Sequence, residues 1–192
     1  MFKPTMLQKV STYPRFVKAY NDFFEKELGA DGTLYGVVDS GIFPEFHDMA
    51  DIEGWDDIRI LLAEPYLHGF ESAAPYLVRL QPGGRFAEKL FEESAGGYWL
   101  TLIVSRKGLD DLANELREMI VVYSQMHERY VILRFYDPRN FDDYLAIHDE
   151  RALSELFDDI GGAVYTIDAQ RAGVIYRYTR EGLSRVVTEG AV

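Results

Sequence analysis

Residues 98–120 read YWLTLIVSRKGLDDLANELREMI, and the fold turns on how this stretch divides. Its first part, YWLTLIVS, is apolar on both alternating faces, which predicts a strand covered on both sides and therefore central in a sheet. Its second part opens after Gly108. Leu109, Leu112, Leu116, Met119 and Ile120 recur at helical spacing and form one apolar stripe, with Asp110 and Asp111 in the first turn, where the helix dipole favours carboxylates. A doubly covered strand followed by an amphipathic helix means a sheet with helices laid on it.

The neighbouring segments extend that plan. Upstream, TLYGVVDSG predicts a buried strand closed by an Asp39-Ser40-Gly41 turn in which the Asp side chain bonds backbone ahead of it. A short helix through Phe43, Phe46 and Met49, a strand at DIRILL, a strand at PYLVRL and a helix over 85–94 follow. An earlier helix starts at Ser11 or Thr12, runs through Phe16, Tyr20, Phe23, Phe24 and Leu28, and ends at Gly29. Downstream, IVVYS and YVILRFY predict a hairpin, then helices over 138–147 and near 150–157, with Asp149 as a cap. GGAVYTI and GVIYRYT close the chain as a C-terminal β-hairpin over 161–180. The Gly-Gly pairs at 83, 96 and 161 read as loop punctuation. Strands and helices interleave without a strict βαβ rhythm. The expected class is α/β with α+β character: a mixed β-sheet with helices packed on it, one compact domain over 1–192.

Composition narrows the function classes. Of 192 residues, 47% are hydrophobic and 14% aromatic, with 13 Tyr and 12 Phe, an endowment that suits a well-filled core and a protein interface. Thirty-two acidic residues against 20 basic ones give a net charge of -12, which disfavours nucleic acid and anionic membranes as partners. There is no cysteine, so neither a disulfide framework nor a thiol catalyst is expected. MFKPTMLQKVSTYPRF has no apolar run behind its lysines, and a cytoplasmic location is expected.

The possible chemistry is thin. Asp39 stands where an aspartyl nucleophile would lie, but Ser40 and Gly41 follow instead of a second carboxylate. His47, His68, His127 and His148 form no paired metal motif, and no phosphate-binding or Gly-x-Ser-x-Gly pattern occurs. No catalytic, cofactor-binding or metal residue is expected. The conspicuous stretch is LRFYDPRNF, residues 133–141. Strand alternation would put Arg134 and Tyr136 on one face, with Val131, Leu133 and Phe135 on the other. Asp137 before Pro138 predicts a helix cap, with Asp137→Ala costing about 1 kcal/mol. Arg139 in a first helical turn runs against the dipole and calls for a carboxylate partner. Arg134, Tyr136, Asp137 and Arg139 are thus the candidate partner-binding or motif residues.

Taken in order, LYGVVDSG, PYLVRL, YWLTLIVS, LDDLANELREMIVV and LRFYDPRNFDDYL resemble the successive motifs of the bacterial type VI secretion adaptor family, domain of unknown function 4123. The resemblance covers about residues 33–157 and is most specific in RFYDPR. Ser40 stands where Gly is usual in that family, and the chain ends about 35 residues after the matched part, whereas many relatives carry a longer C-terminal part. The resemblance implies a non-enzymatic adaptor or chaperone without cofactors, which binds a toxin effector protein and helps load it onto the C-terminal region of a spike protein. The alternatives are a small metal-dependent hydrolase using Asp39, Asp137 and a histidine, or an immunity-type toxin-binding protein. For the adaptor, the excess of acid and the tyrosines predict a tyrosine-bearing contact within an acidic rim, facing a neutral or basic partner segment.

Overall fold

The computed structural model describes residues 31–64, 66–94, 97–167 and 173–188. The helix expected over residues 11–29, Gly96 and most of the turn DAQRAG lie outside the described residues. Leu100–Ser105 forms strand β4, as its doubly apolar pattern predicts, and all six of its residues are buried. It stands at the centre of a seven-stranded sheet. The other strands are β1 (Thr33–Asp39), β2 (Ile58–Ile60), β3 (Pro75–Leu80), β7 (Gly162–Ile167), β8 (Gly173–Thr179) and β9 (Gly182–Thr188), in the order β2-β3-β1-β4-β7-β8-β9. Every pairing in this sheet is antiparallel. The expected sheet with helices packed on it is present, and its wholly antiparallel ladder sets it on the α+β side of the expected class. Between β4 and β7 the chain forms a separate two-stranded ribbon, β5 (Val121–Ser124) with β6 (Arg129–Ile132).

The α-helices among the described residues are α1 (Phe46–Glu53), α2 (Arg85–Ser94), α3 (Leu109–Ile120), α4 (Phe141–Ala146) and α5 (Glu150–Ile160). In α3 the predicted stripe turns inward: Leu109, Leu112, Leu116 and Ile120 are buried and Met119 packs against the core. This helix lies on β2 and β3, while α5 lies on β7, β8 and β9, and the two helices touch each other. Helix α5 is the best capped. Asp149 Oδ1 accepts from Ala152 N at 2.8 Å, and Gly161 ends the helix in the left-handed conformation at φ 70°. Asp149→Ala should therefore lower stability by about 1 kcal/mol, read as a shift in the urea midpoint at constant slope.

Three local expectations need correction. The strand YVILRFY stops at Ile132: Leu133 N still bonds across the ribbon to Ile120 O at 2.7 Å, but beyond it Asp137 N bonds to Arg134 O at 3.1 Å and the chain curls into a turn. The helix expected over 138–147 begins only at Phe141. The C-terminal hairpin over 161–180 is two strands of a three-stranded extension, since β9 pairs along β8 and β7 joins the main sheet at β4.

Candidate functional site

The site is built where the end of β1 meets the turn after β6. Asp39 ends β1; its N–H donates to Trp99 O at 2.8 Å, and its carbonyl accepts from Ile42 N and Phe43 N at 3.1 and 3.0 Å. The Ser40 hydroxyl donates to Ala74 O at 2.7 Å, and Phe43 stacks on Trp99 with ring centroids 4.0 Å apart. These bonds fix the turn at the backbone. The expected Asp39 side-chain turn bond gives way to a longer-range contact: its carboxylate is paired with Arg134, which lies 95 residues on.

On the other side, Thr101 Oγ1 in β4 donates to Tyr136 O at 2.6 Å and pins the LRFYDPRNF turn against the sheet. Asp39, Val37 and Thr101 share one face, since Val37 stands opposite Thr101 in the β1–β4 register. Asp137 is the hub of the turn. Its Oδ1 accepts from Arg139 N at 3.0 Å and from Arg139 Nε at 2.9 Å, while its Oδ2 accepts from Arg139 Nη2 at 2.6 Å. The i to i+2 bond makes Asp137 the anchor of an Asx turn, with its carbonyl accepting from Asn140 N at 3.0 Å. This corrects the reading of Asp137 as the cap of a helix. The position is extended by turns through Asn140, and α4 begins beyond the reach of its carboxylate.

Arg139 meets the carboxylate its position called for, and its guanidinium also lies over the Tyr98 ring, 5.3 Å from the centroid. Arg134 Nη2 touches Asp39 and stands 3.8 Å from Asp137 Oδ2. The carboxylates are inside and the cations outside: the side chains of Asp39 and Asp137 are 7% and 2% exposed, those of Arg134 and Arg139 40% and 49%. Burial raises the Asp137 carboxyl, but the hydrogen bonds from Arg139 and the two guanidinium charges outweigh it, so it titrates below the ordinary carboxylate range. Tyr136 is buried. Its phenol is pushed well up, first by burial and then by the Asp39 carboxylate, with Arg134 opposing. A neutral phenol at physiological pH is a packing and hydrogen-bonding group, not a base.

The structure thus gathers all four predicted residues, Arg134, Tyr136, Asp137 and Arg139, around one point. The alternation that put Arg134 and Tyr136 together against Phe135 does not describe it: Phe135 and Tyr136 are both buried, and Arg134 reaches the surface. Asp39, Thr101 and Tyr98 complete the site and were not read as its members. Tyr98 holds a left-handed φ of 55°, which no sequence signal at a Tyr announces. Asp39 and Asp137, the pair required by the hydrolase alternative, do come together, but a guanidinium stands between them and no histidine joins them. Among the described residues, no group of three or more His, Cys, Asp or Glu side chains is placed to hold a metal ion.

With the order of strands and the RFYDPR turn in place, comparison with known families gives one match. The model of domain of unknown function 4123 (DUF4123) covers residues 34–155. The chain belongs to the DUF4123 family. The match begins in β1 and ends in α5, so it takes in both halves of the Asp39–Arg134 contact. Strands β7 to β9 lie beyond the DUF4123 match, although they extend the same sheet. No curated protein and no solved structure matches the chain. Among the described residues, no helix is long and apolar enough to cross a membrane.

Proposed function

We propose that this DUF4123 protein is a non-enzymatic adaptor of type VI secretion, which holds a toxin effector protein and presents it to the C-terminal region of a spike protein. One observation carries the reading. The carboxylate of the RFYDPR turn is held by Arg139 and Arg134 is paired with Asp39 of β1, while the adjoining β5–β6 ribbon shows an exposed aromatic ladder. Tyr123 and Tyr130 face each other across the ribbon at 5.4 Å, Tyr66 packs on Tyr130 at 5.8 Å, and all three are exposed. Ribbons of two strands are marginal by themselves, and exposed tyrosines are the anchors that interfaces favour. Met126 at the ribbon's tip, 87% exposed, adds an adaptable apolar contact.

The ribbon and the turn after it carry less acid than net charge leads one to expect, although exposed Glu64 and Glu71 lie in the segment that bears Tyr66 and Phe70. Within residues 121–139 there are Arg129, Arg134 and Arg139 against Glu128 and Asp137, and Asp137 is buried. The ladder therefore lies beside outward guanidinium groups in a chain whose net charge is -12. A partner segment of neutral or acidic character fits this rim better than a basic one.

The test is co-expression with the toxin and spike proteins encoded by neighbouring genes. Both should co-elute with the adaptor, and Tyr123→Ala with Tyr130→Ala should weaken at least one of them ten-fold or more. Failure of either protein to bind the parent chain removes the adaptor reading. The same preparation should show no phosphatase or nuclease turnover with magnesium. Activity abolished by Asp39→Asn would instead establish the hydrolase.

A further inference from the structure

Beside the ion-pair cluster the surface opens into a pocket of about 300 Å³. Ile42, Leu62, Phe70 and Ile132 supply apolar walls, and Asp39 with Arg134 forms its polar end. Ile132 continues the face of β6 that carries Tyr130, so the pocket and the tyrosine ladder are parts of one surface. Phe70, Ile42 and Ile132 are all exposed at its mouth. A volume of this size lies at the lower end for ligand pockets and has room for one large side chain.

The polar end is unfinished. A guanidinium carries five N–H donors in a planar fork. Both carboxylates that meet Arg134 do so at Nη2, and its Nε is buried without an acceptor. Arg139 already holds Asp137 through two bonds, so Arg134 does not complete its fork there. The Arg134 side chain is 40% exposed while those of Asp39 and Asp137 are 7% and 2% exposed, so the charge that this end turns outward is that of the guanidinium.

We propose that this pocket is a peptide-docking site, which seats one large aliphatic or aromatic side chain of a partner protein and lays an adjacent carboxylate of that partner on Arg134. The occupant is an acidic, apolar-anchored segment, because the walls reward apolar burial and the outward groups of the cluster are cations. A lipid surface or a nucleic acid does not fit: each presents an array of phosphates, which a net charge of -12 repels, and neither needs a single apolar socket. The site rests on the adaptor reading for the identity of its partner, and on the pocket alone for its chemistry.

Fluorescein-labelled decapeptides with a central phenylalanine followed by aspartate test it by anisotropy. Replacing the peptide's aspartate by asparagine should weaken binding about ten-fold, lysine should weaken it further, and alanine for the phenylalanine should abolish it. A second set ends at the phenylalanine with a free or an amidated carboxyl. Tight binding of the free form alone assigns the carboxylate to a chain end, and tight binding of the internal aspartate assigns it to a side chain; either supports the site. On the protein, Ala73→Trp fills the pocket from its exposed wall and replaces no member of the ion pairs; it should weaken peptide binding at least ten-fold with an unchanged melting temperature. Equal binding of aspartate and lysine peptides, no binding of any of them, or full binding to Ala73→Trp overturns the site. Co-elution of toxin and spike that survives such a failure leaves the adaptor reading intact. Peptide binding without co-elution of either protein removes that reading and keeps the pocket.

Discussion

Gly162→Ala is expected to lower the melting temperature by roughly 10 °C, the equivalent of about 3–5 kcal/mol for a chain of this size. A Cβ at this position would stand 1.8 Å from Val104 O, an atom of the backbone with no rotamer by which to withdraw. Gly162 faces Ser105 at the seam between β4 and β7, which is the one place where the C-terminal strands join the rest of the sheet. Several bonds converge there. Ser105 Oγ donates to Ile160 O at 2.6 Å and accepts from Lys107 N at 3.0 Å, while Arg106 N donates to Gly161 O at 3.2 Å. The strands cannot part to admit a methyl group without loosening the C-terminus of α5 and the turn after β4 together. Gly161→Asn is the matched control. It keeps a residue tolerant of the left-handed φ of 70° and places no atom in the seam's backbone, so its cost should stay near 1 kcal/mol. Thermal melts of the two variants decide the matter: equal melting temperatures would mean that the seam yields and that its closeness carries no energy.

That seam shows where the sequence stops being readable. Strand β4 and helix α3 are legible because a doubly apolar run and a helical stripe are local patterns, and burial followed both. The Gly161-Gly162 pair looks like any loop. One glycine is needed for its own φ, which a helix-end pattern can suggest, but the other is needed for a carbonyl 58 positions away in the chain, which nothing local encodes. The same division runs through the site. Arg139's want of a carboxylate follows from a first helical turn that it does not occupy, since the helix begins at Phe141, and Asp137 supplies the carboxylate two residues off in an Asx turn. Asp39 looked like an ordinary turn residue, because its partner Arg134 is brought to it only by the β5–β6 ribbon folding back. The helix cap expected at Asp137 failed for a related reason. Asp-Pro opens an Asx turn as readily as a helix, and here the bidentate Arg139 holds the carboxylate in the turn.

The ion-pair cluster should be worth more than the 1 kcal/mol of a lost cap. Arg134→Ala strips Asp39, whose side chain is 7% exposed, of its cation and leaves Asp137 to Arg139 alone. Removing one member of a fully buried pair costs about 3–5 kcal/mol, but Arg134 is 40% exposed and water can take part of its place, so about 2–3 kcal/mol is expected. Most of that cost comes from a stranded carboxylate, so adding Asp39→Asn to Arg134→Ala should recover stability where additivity would predict a further loss. Asp137 supplies the pH dependence. Its carboxyl titrates below the ordinary value of 3.8 in the folded protein, so its ion pairs stabilise the fold at pH above that value and are lost as pH falls through the depressed one. Asp137→Asn keeps an oxygen for the Arg139 N–H but puts an NH2 donor where the other oxygen accepts from Arg139 Nη2, so it removes the charge and one bond. It should be less stable than the parent at neutral pH, and the two urea midpoints should converge as the pH is lowered beneath 3.8. A gap that stays constant down to that pH would assign the role of Asp137 to turn geometry alone. The matching measurement on Arg134→Ala then separates the two carboxylates: if its deficit persists in the Asp39→Asn background, Arg134 acts through packing and not as the counter-ion that holds the end of β1 to the turn.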